Sequence, residues 1–371
     1  MKYLTIADKE KHTESEISEF QVEKGVSEYH VMIRITETTL SFSEQVYSIF
    51  SSLNNLRDNE LQGTTILFQR LFLSDAANQI DHLSKYLPEK KNNISIIEQP
   101  PLNGSKIALW AYLQKGTSSH GKYNHLWNCT AINPAGDSEN QMRVLLNDYI
   151  EQLKNNNCTL FDNCVRTWIF VQNVDANYSG IVKARKEIFT ENGLTEKTHF
   201  IASTGINGRH KEKDALVVFD AYAIEGIQKE QIQYLYAKTH LSPTHKYGVT
   251  FERGTCIHYG DRRHIFISGT ASINNEGEIL HEGNLEKQTE RMFENIEALL
   301  KEANSGFEDM AQMILYLRDI ADYHLAKNIV EKRFPQIPKI IVLAPVCRPG
   351  WLIEMECFAI KKNNDKRFEP F

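Results

Sequence analysis

The chain has no apolar window approaching the roughly 18 residues of a membrane span, and its opening stretch, Met1 to Asp8, lacks the apolar core of a secretion signal. Both absences predict a cytoplasmic protein without a membrane partner. The six cysteines (Cys129, Cys158, Cys164, Cys256, Cys347, Cys357) form no CxxC pair and no zinc-spaced cluster with histidine. Free thiols, no metal and no cofactor are therefore expected. There is no long basic run, and the formal net charge is -6, so nothing electrostatic argues for nucleic acid. What remains is an ordinary composition, 41% hydrophobic and 24% charged over 371 residues, enough for a large core or several modules and for a small-molecule site.

What the sequence does contain is a degenerate repeat. Residues 142–189 read as helix, strand (Val165 to Val171), Asn/Asp-rich turn and second helix (Tyr178 to Phe189); residues 288–334 repeat that order, with helix Thr289 to Ala303 and strand Met313 to Leu317. A weaker copy upstream has helix Phe42 to Leu56, strand Thr64 to Leu73, a cap-like Ser74–Asp75 and helix Ala76 to Leu87. Each copy ends in an apolar strand: Ile107 to Tyr112, Val218 to Ala223, and Glu354 to Ala359. With a hairpin opening the third copy (Arg263 to Ser268, then Ile279 to His281), the pattern predicts an α+β protein of mixed sheets covered by helices. Three units, 1–116, 117–240 and 241–371, would form an intrachain pseudo-trimer with clefts between neighbours. The chain is then expected as a monomer or weak homo-oligomer.

The three terminal strands are not equivalent. Registered on Ala-Tyr, Ala-Tyr and Cys-Phe, they place Glu354 opposite the aliphatic Val218 and Ile107. A carboxyl enclosed among apolar residues loses hydration, keeps its proton to higher pH and can act as a general acid. Because strands alternate and Glu356 shares its face, the opposing reading is a solvated outer-face glutamate.

Ile267 to Thr270, Gln288–Thr289, Phe293 to Ile296, Leu315 to Asp319 and Ile353 to Glu356 fall in an order that resembles the Rid (YjgF) family. In a Rid imine deaminase an arginine before the final strand holds the substrate carboxylate, and the position fifteen before Glu354 is Lys339, which lacks the bidentate fork. Over residues 123–359 the chain more closely resembles the chorismatases, built on the same fold. The marks are Ser268-Gly269-Thr270-Ala271-Ser272-Ile273, His281-Glu282-Gly283, Val346-Cys347-Arg348 with Leu352-Ile353-Glu354, His125 to Asn128, the turn Ser203 to Gly208, and Tyr247–Gly248 with Phe251-Glu252-Arg253. The pattern departs at Cys129, a tyrosine in that family, and in the loop Asn274 to Glu278.

The resemblance implies cleavage of chorismate, a dianionic enol ether, to pyruvate and a hydroxybenzoate, with Glu354 as acid. A cysteine at the Cys347 position goes with the 3-hydroxybenzoate subtype; otherwise Cys347 is a core residue. Arg253 and Arg348 are assigned to carboxylates, or else to surface ion pairs, and Tyr247 to the enol-ether region, or else to the core. Thr204 and Gly205 offer turn amides to an anion, or only a turn; Ser268 and Gly269 belong to the glycine motif. Arg185 binds substrate, or lies on a solvated helix face with Lys183 and Lys186. The competing classes are an imine deaminase and a non-catalytic binding member of the fold. Ribonuclease activity, an old label for this fold, has no basic stripe to support it.

Overall fold

A computed structural model describes residues 1–23, 25–88, 93–116 and 121–371; the expected unit boundary at 116/117 touches residues outside that set. The first unit runs β1 (Lys2–Asp8), β2 (Thr13–Phe20), β3 (Ser27–Ile35), α1 (Phe42–Asp58), β4 (Thr64–Leu73), α2 (Ala76–Leu83), β5 (Ile94–Glu98) and β6 (Ile107–Lys115). The second runs β7 (Asn124–Ile132), α3 (Ser138–Lys154), the single turn α4 (Leu160–Asn163), β8 (Cys164–Val171), α5 (Val174–Glu191), β9 (Ala202–Asn207) and β10 (Val217–Glu225). The third runs β11 (Ile232–Leu235), β12 (Gly254–His258), β13 (Arg262–Ala271), α6 (Leu285–Glu302), β14 (Met310–Leu317), α7 (Tyr323–Arg333), β15 (Lys339–Leu343) and β16 (Ile353–Lys362).

The sheets have orders β1-β2-β3-β6-β4-β5, β7-β10-β8-β9 and β11-β12-β13-β16-β14-β15. In each, one pair is parallel (β4 with β5, β8 with β9, β14 with β15) and the remaining pairs are antiparallel. The molecule is thus a Rid/YjgF-like α+β fold of three repeated units. β11 already pairs with β12, so the third sheet starts before the 240/241 boundary.

Local chemistry explains the helices. Ser41 and Glu44 close a capping box on α1, Asp75 caps α2 as the sequence suggests, and Asp137 and Asn284 cap α3 and α6, which therefore begin four residues earlier than their apolar periodicity alone indicates. Buried Leu285, Met292, Ile296 and Leu299 give α6 the one-sided stripe that covers its sheet.

Three expectations need correction. Ser203 to Asn207 is not a glycine turn but strand β9, because its backbone pairs in parallel with β8 from Arg166 to Val171. The opening hairpin of the third sheet is β12–β13, while Ile279 contributes only an isolated bridge to Ile273. The residue matching Glu354 in the first unit is Ala108 rather than Ile107: Phe72 faces Ala108 as Tyr316 faces Glu354, one residue before the end of the neighbouring strand.

The inner faces of the three sheets meet in one core that includes Phe68, Trp110, Trp168, Tyr222, Phe266 and Phe358. Buried ion pairs cross each seam in turn: Arg70 of the first unit to Asp220 of the second at 3.0 Å, Arg166 of the second to Glu356 of the third at 2.9 Å, and Arg262 of the third to Glu28 of the first at 2.5 Å.

Candidate active site

At the seam between the second and third units lies a cavity of about 320 Å³. Helix α5 contributes Tyr178, Val182 and Arg185, and β9 contributes Ser203 and Gly205. The third unit supplies Tyr247, Phe251 and Arg253 from the segment before β12, Gly269 from β13, Cys347, Arg348 and Trp351 from the β15–β16 connection, and Glu354 from β16.

Glu354 faces inward and is only 5% exposed, so the solvated outer-face reading fails. Burial first, then the nearby Glu356 charge, pushes its carboxyl up to about 8 against the pull of Arg253 and Arg166. It stands protonated at neutral pH. Its room comes from a bulge: the β13–β16 register shifts between Ile267 and Thr270, and a Cβ on Gly269 would collide with Glu354 Oε1. Glycine at 269 is therefore what admits the acid.

Three guanidiniums surround that neutral acid, and among the described residues none has a carboxylate partner. Arg185 Nε donates to Thr250 Oγ1 at 3.2 Å, and its Nη2 is buried without a partner. Arg253 donates to Ser242 O at 2.9 and 3.3 Å, and Arg348 to Gly277 O at 3.1 Å. The Tyr247 ring lies 5.3 Å from the Arg253 guanidinium and 4.5 Å from that of Arg348, and its hydroxyl is also buried without a partner. Guanidiniums without a carboxylate partner and orphaned donors converging on one cavity offer what an anionic ligand would bind.

Cys347 lies beside them. Burial first, then the Glu354 charge, lifts its thiol to about 12, which favours the neutral thiol over the nucleophilic thiolate. Tyr178, which the sequence marked only as the start of a helix, reaches both Cys347 and Arg185, and burial holds its hydroxyl far above the phenol range. No short motif announces it; only the helix phase that brings position 178 to the same face as Arg185 does.

Other sequence-selected residues serve elsewhere. Thr204 and Ser268 do not line the cavity. Thr204 Oγ1 accepts from Gly269 N at 2.9 Å and Arg166 Nη2 at 2.5 Å, and Ser268 Oγ accepts from Ser203 N at 2.9 Å while donating to Glu252 O at 2.6 Å. Both close the seam beneath the cavity. Gly205 lines it but packs against Tyr178 and offers no turn amide. Lys339 faces another cleft, between the third and first units, where it binds Glu16 at 3.1 Å. Strand register gives the reason: Lys339 pairs with Met313 as Ser203 pairs with Thr167, so the position facing Glu354 is Ser203 from the preceding unit. Cys129 borders a separate groove, and the Asn274 to Glu278 loop meets the site through the Gly277 carbonyl that holds Arg348 and through Gly277 against the Tyr247 ring.

The inward glutamate and the guanidiniums lie at the seam between units of a Rid/YjgF-like fold, and sequence comparison identifies the family of the third unit. Residues 256–361 match the family model described as Endoribonuclease L-PSP. A RutC family protein of Pyrococcus abyssi is 35% identical over 101 residues, 26% of this chain and 79% of that protein. The 3-aminoacrylate deaminase RutC of Acinetobacter baylyi is 26% identical over 97 residues, 26% of this chain and 77% of its own. The chain belongs to the RutC (endoribonuclease L-PSP) family. A crystal structure of a chorismatase superposes with a TM-score of 0.66, covering 91% of this chain and all of that one at 15% identity, a likeness of fold spanning all three units. No helix among the described residues is long and apolar enough to cross a membrane.

Proposed function

We propose that this protein is a chorismatase-like enzyme that cleaves chorismate to pyruvate and a hydroxybenzoate, 3-hydroxybenzoate being favoured. The observation that carries the reading is the buried Glu354 carboxyl, pushed up to about 8, enclosed with three guanidiniums that have no carboxylate partner among the described residues. A dianion with an acid-labile enol ether answers both halves of that arrangement. The cavity, about 320 Å³, suits a single-ring metabolite rather than a nucleic-acid strand.

In this mechanism Arg253 and Arg348 bind one carboxylate and Arg185, from across the seam, the other, while Tyr247 hydrogen-bonds the ether or ring hydroxyl. Glu354 gives its proton to the methylene carbon, and the carboxylate it leaves stabilises the oxocarbenium ion. Water adds to the ether-bearing oxocarbenium carbon, returns a proton to Glu354, and the hemiketal collapses to pyruvate and a ring hydroxyl. Loss of one water then aromatises the ring, so chorismate balances pyruvate plus hydroxybenzoate with no net water. Neutral Cys347, which the chorismatase resemblance links to the 3-hydroxybenzoate subtype, borders the ring without attacking it. Gly205 and Gly269 shape the wall, and Ser268 braces the seam beneath it. The chain would act as a monomer, its own pseudo-trimer.

Deamination of an enamine or imine is the second reading, favoured by the activity named for the Acinetobacter relative. Such substrates carry one carboxylate where this cavity offers three guanidiniums, and that mismatch ranks it second. The test is incubation of the purified protein with chorismate and, separately, with an enamine generated in place from an amino acid by an added dehydratase, against the dehydratase alone. Pyruvate with an aromatic acid from the first supports the proposal; ammonia release from the second with inert chorismate supports deamination.

A further inference from the structure

Thr204 is buried at 1% exposure outside the cavity, yet it touches what lies directly beneath the acid. Its hydroxyl oxygen takes two donors: the Gly269 amide at 2.9 Å and Arg166 Nη2 at 2.5 Å. Gly269 is the residue on which the Glu354 carboxyl rests, since any Cβ there would overlap Glu354 Oε1, and the Thr204 methyl lies 3.1 Å from the same point. Arg166 divides itself between Thr204 and Glu356, whose other oxygen accepts from Trp168 Nε1 at 2.8 Å. An amide and a guanidinium beside a carboxyl stabilise its ionised form whenever they turn toward it.

Resting on the general-acid reading of Glu354, we infer that Thr204 is a positioning residue: its hydroxyl engages the two N–H donors beside that carboxyl, so that Glu354 remains a proton donor. Neither the Gly269 amide nor Arg166 Nη2 is free to pair with Glu354 while both point at Thr204 Oγ1; Arg166 Nη1 is buried without a partner. The groups that bear on Glu354 from the elements around it are Glu356 on its own strand, Arg166 on β8, Tyr316 on β14, Tyr178 on α5, and Arg253 and Cys347 on the two connecting segments. Of these, Arg166 is the cation whose Nη2 the Thr204 hydroxyl holds together with Glu356, and Gly269 adds the backbone dipole. The second and third units therefore cooperate across the seam, the third presenting the acid while Thr204 of the second occupies the donors beside it.

The experiment substitutes Thr204→Val, which keeps the shape and removes the acceptor, and Thr204→Ser, which keeps the acceptor. The Glu354 carboxyl carbon is followed by NMR in protein labelled with ¹³C-glutamate, assigned against Glu354→Gln, and turnover of chorismate is read across pH. In Thr204→Val the Gly269 amide and Arg166 turn to Glu354, so its midpoint should fall from about 8 by roughly one pH unit or more, while Thr204→Ser stays within a few tenths. The alkaline fall in kcat/KM should move down by the same amount in Thr204→Val, with KM at low pH unchanged. An unmoved midpoint in a folded Thr204→Val protein overturns the inference, as does a rise in KM with the pH profile intact, which marks a substrate contact. Should Thr204→Val not fold, Thr204→Ala removes the same acceptor with less bulk and carries the same expectation. If the wild type leaves chorismate intact but the midpoint shifts, the reaction assignment fails and the positioning role stands; the reverse result fails the positioning role alone.

Discussion

Glu354 and Glu356 lie two residues apart on one face of β16 and meet opposite electrostatic surroundings. Glu356 receives Arg166 and Trp168, whereas Glu354 projects into a cavity with its nearest backbone donor engaged elsewhere. A carboxyl raised from the ordinary 4.5 to about 8 has a definite stability signature. Its folded-state value lies above its unfolded value, so its contribution is fully present below about 4.5 and is lost as pH rises through 8. Glu354→Gln, which cannot ionise, should therefore melt at the same temperature as wild type near pH 4.5 and at a higher one by pH 8.5, with the gap opening between. Parallel melting curves across that range would show that the carboxyl is not held neutral. Glu354 was legible in the sequence because two sister strands carry aliphatic residues at its place. Thr204 was legible only as a polar residue near a glycine; its partners are 38 and 65 positions away in the chain, and no local pattern encodes them.

Helix α5 shows what an element contributes beyond its residues. Its sequence around Arg185, with Lys183 and Lys186 on either side, reads as a charged solvated face, yet a shift of one or two positions turns 100–200° around a helix. Lys183 and Lys186 face outward, while Arg185 and Ala184 are buried, the arginine against Thr250 and Ser203 of the seam. Arg185→Met should raise KM for chorismate roughly 10- to 100-fold, the loss of one charged hydrogen-bond donor set, and Arg185→Lys should restore it only in part. Steady-state kinetics at pH 7 check this; an unchanged KM in Arg185→Met would remove α5 from the binding site. The strands were easier to read than the segment around Gly205, because alternation and apolar content mark β8 and β16, whereas the Ser, Thr and Gly of β9 mimic a turn and become a strand only through pairing with β8.

At the scale of the whole molecule, three seams share one plan, and the proposed chemistry falls at the seam between the second and third units. The cleft between the third and first units has nearly the same volume, about 300 Å³, but Ala108 stands where Glu354 does, Lys339 and Arg34 are both paired to Glu16, and Arg34 also to Glu14. Calorimetric titration with a non-cleavable chorismate analogue should therefore give one site per chain rather than two or three. The ring itself is closed by buried pairs. Arg70→Met strands Asp220 without its cation and should cost about 3–5 kcal/mol in chemical denaturation, whereas Arg70→Met with Asp220→Asn should cost clearly less. Equal losses would mean that packing, not the pair, is what Arg70 contributes. The repeat makes the three-unit plan readable from the sequence; which unit faces which is not, so the position fifteen before Glu354, Lys339, belongs to the neighbouring cleft. The most direct measurement is the rate of pyruvate release from chorismate by wild type and Glu354→Gln side by side at pH 7. Release by wild type, reduced roughly 10²–10⁴-fold in Glu354→Gln, is the result expected of a general acid. Equal rates, or no release from either, would contradict it.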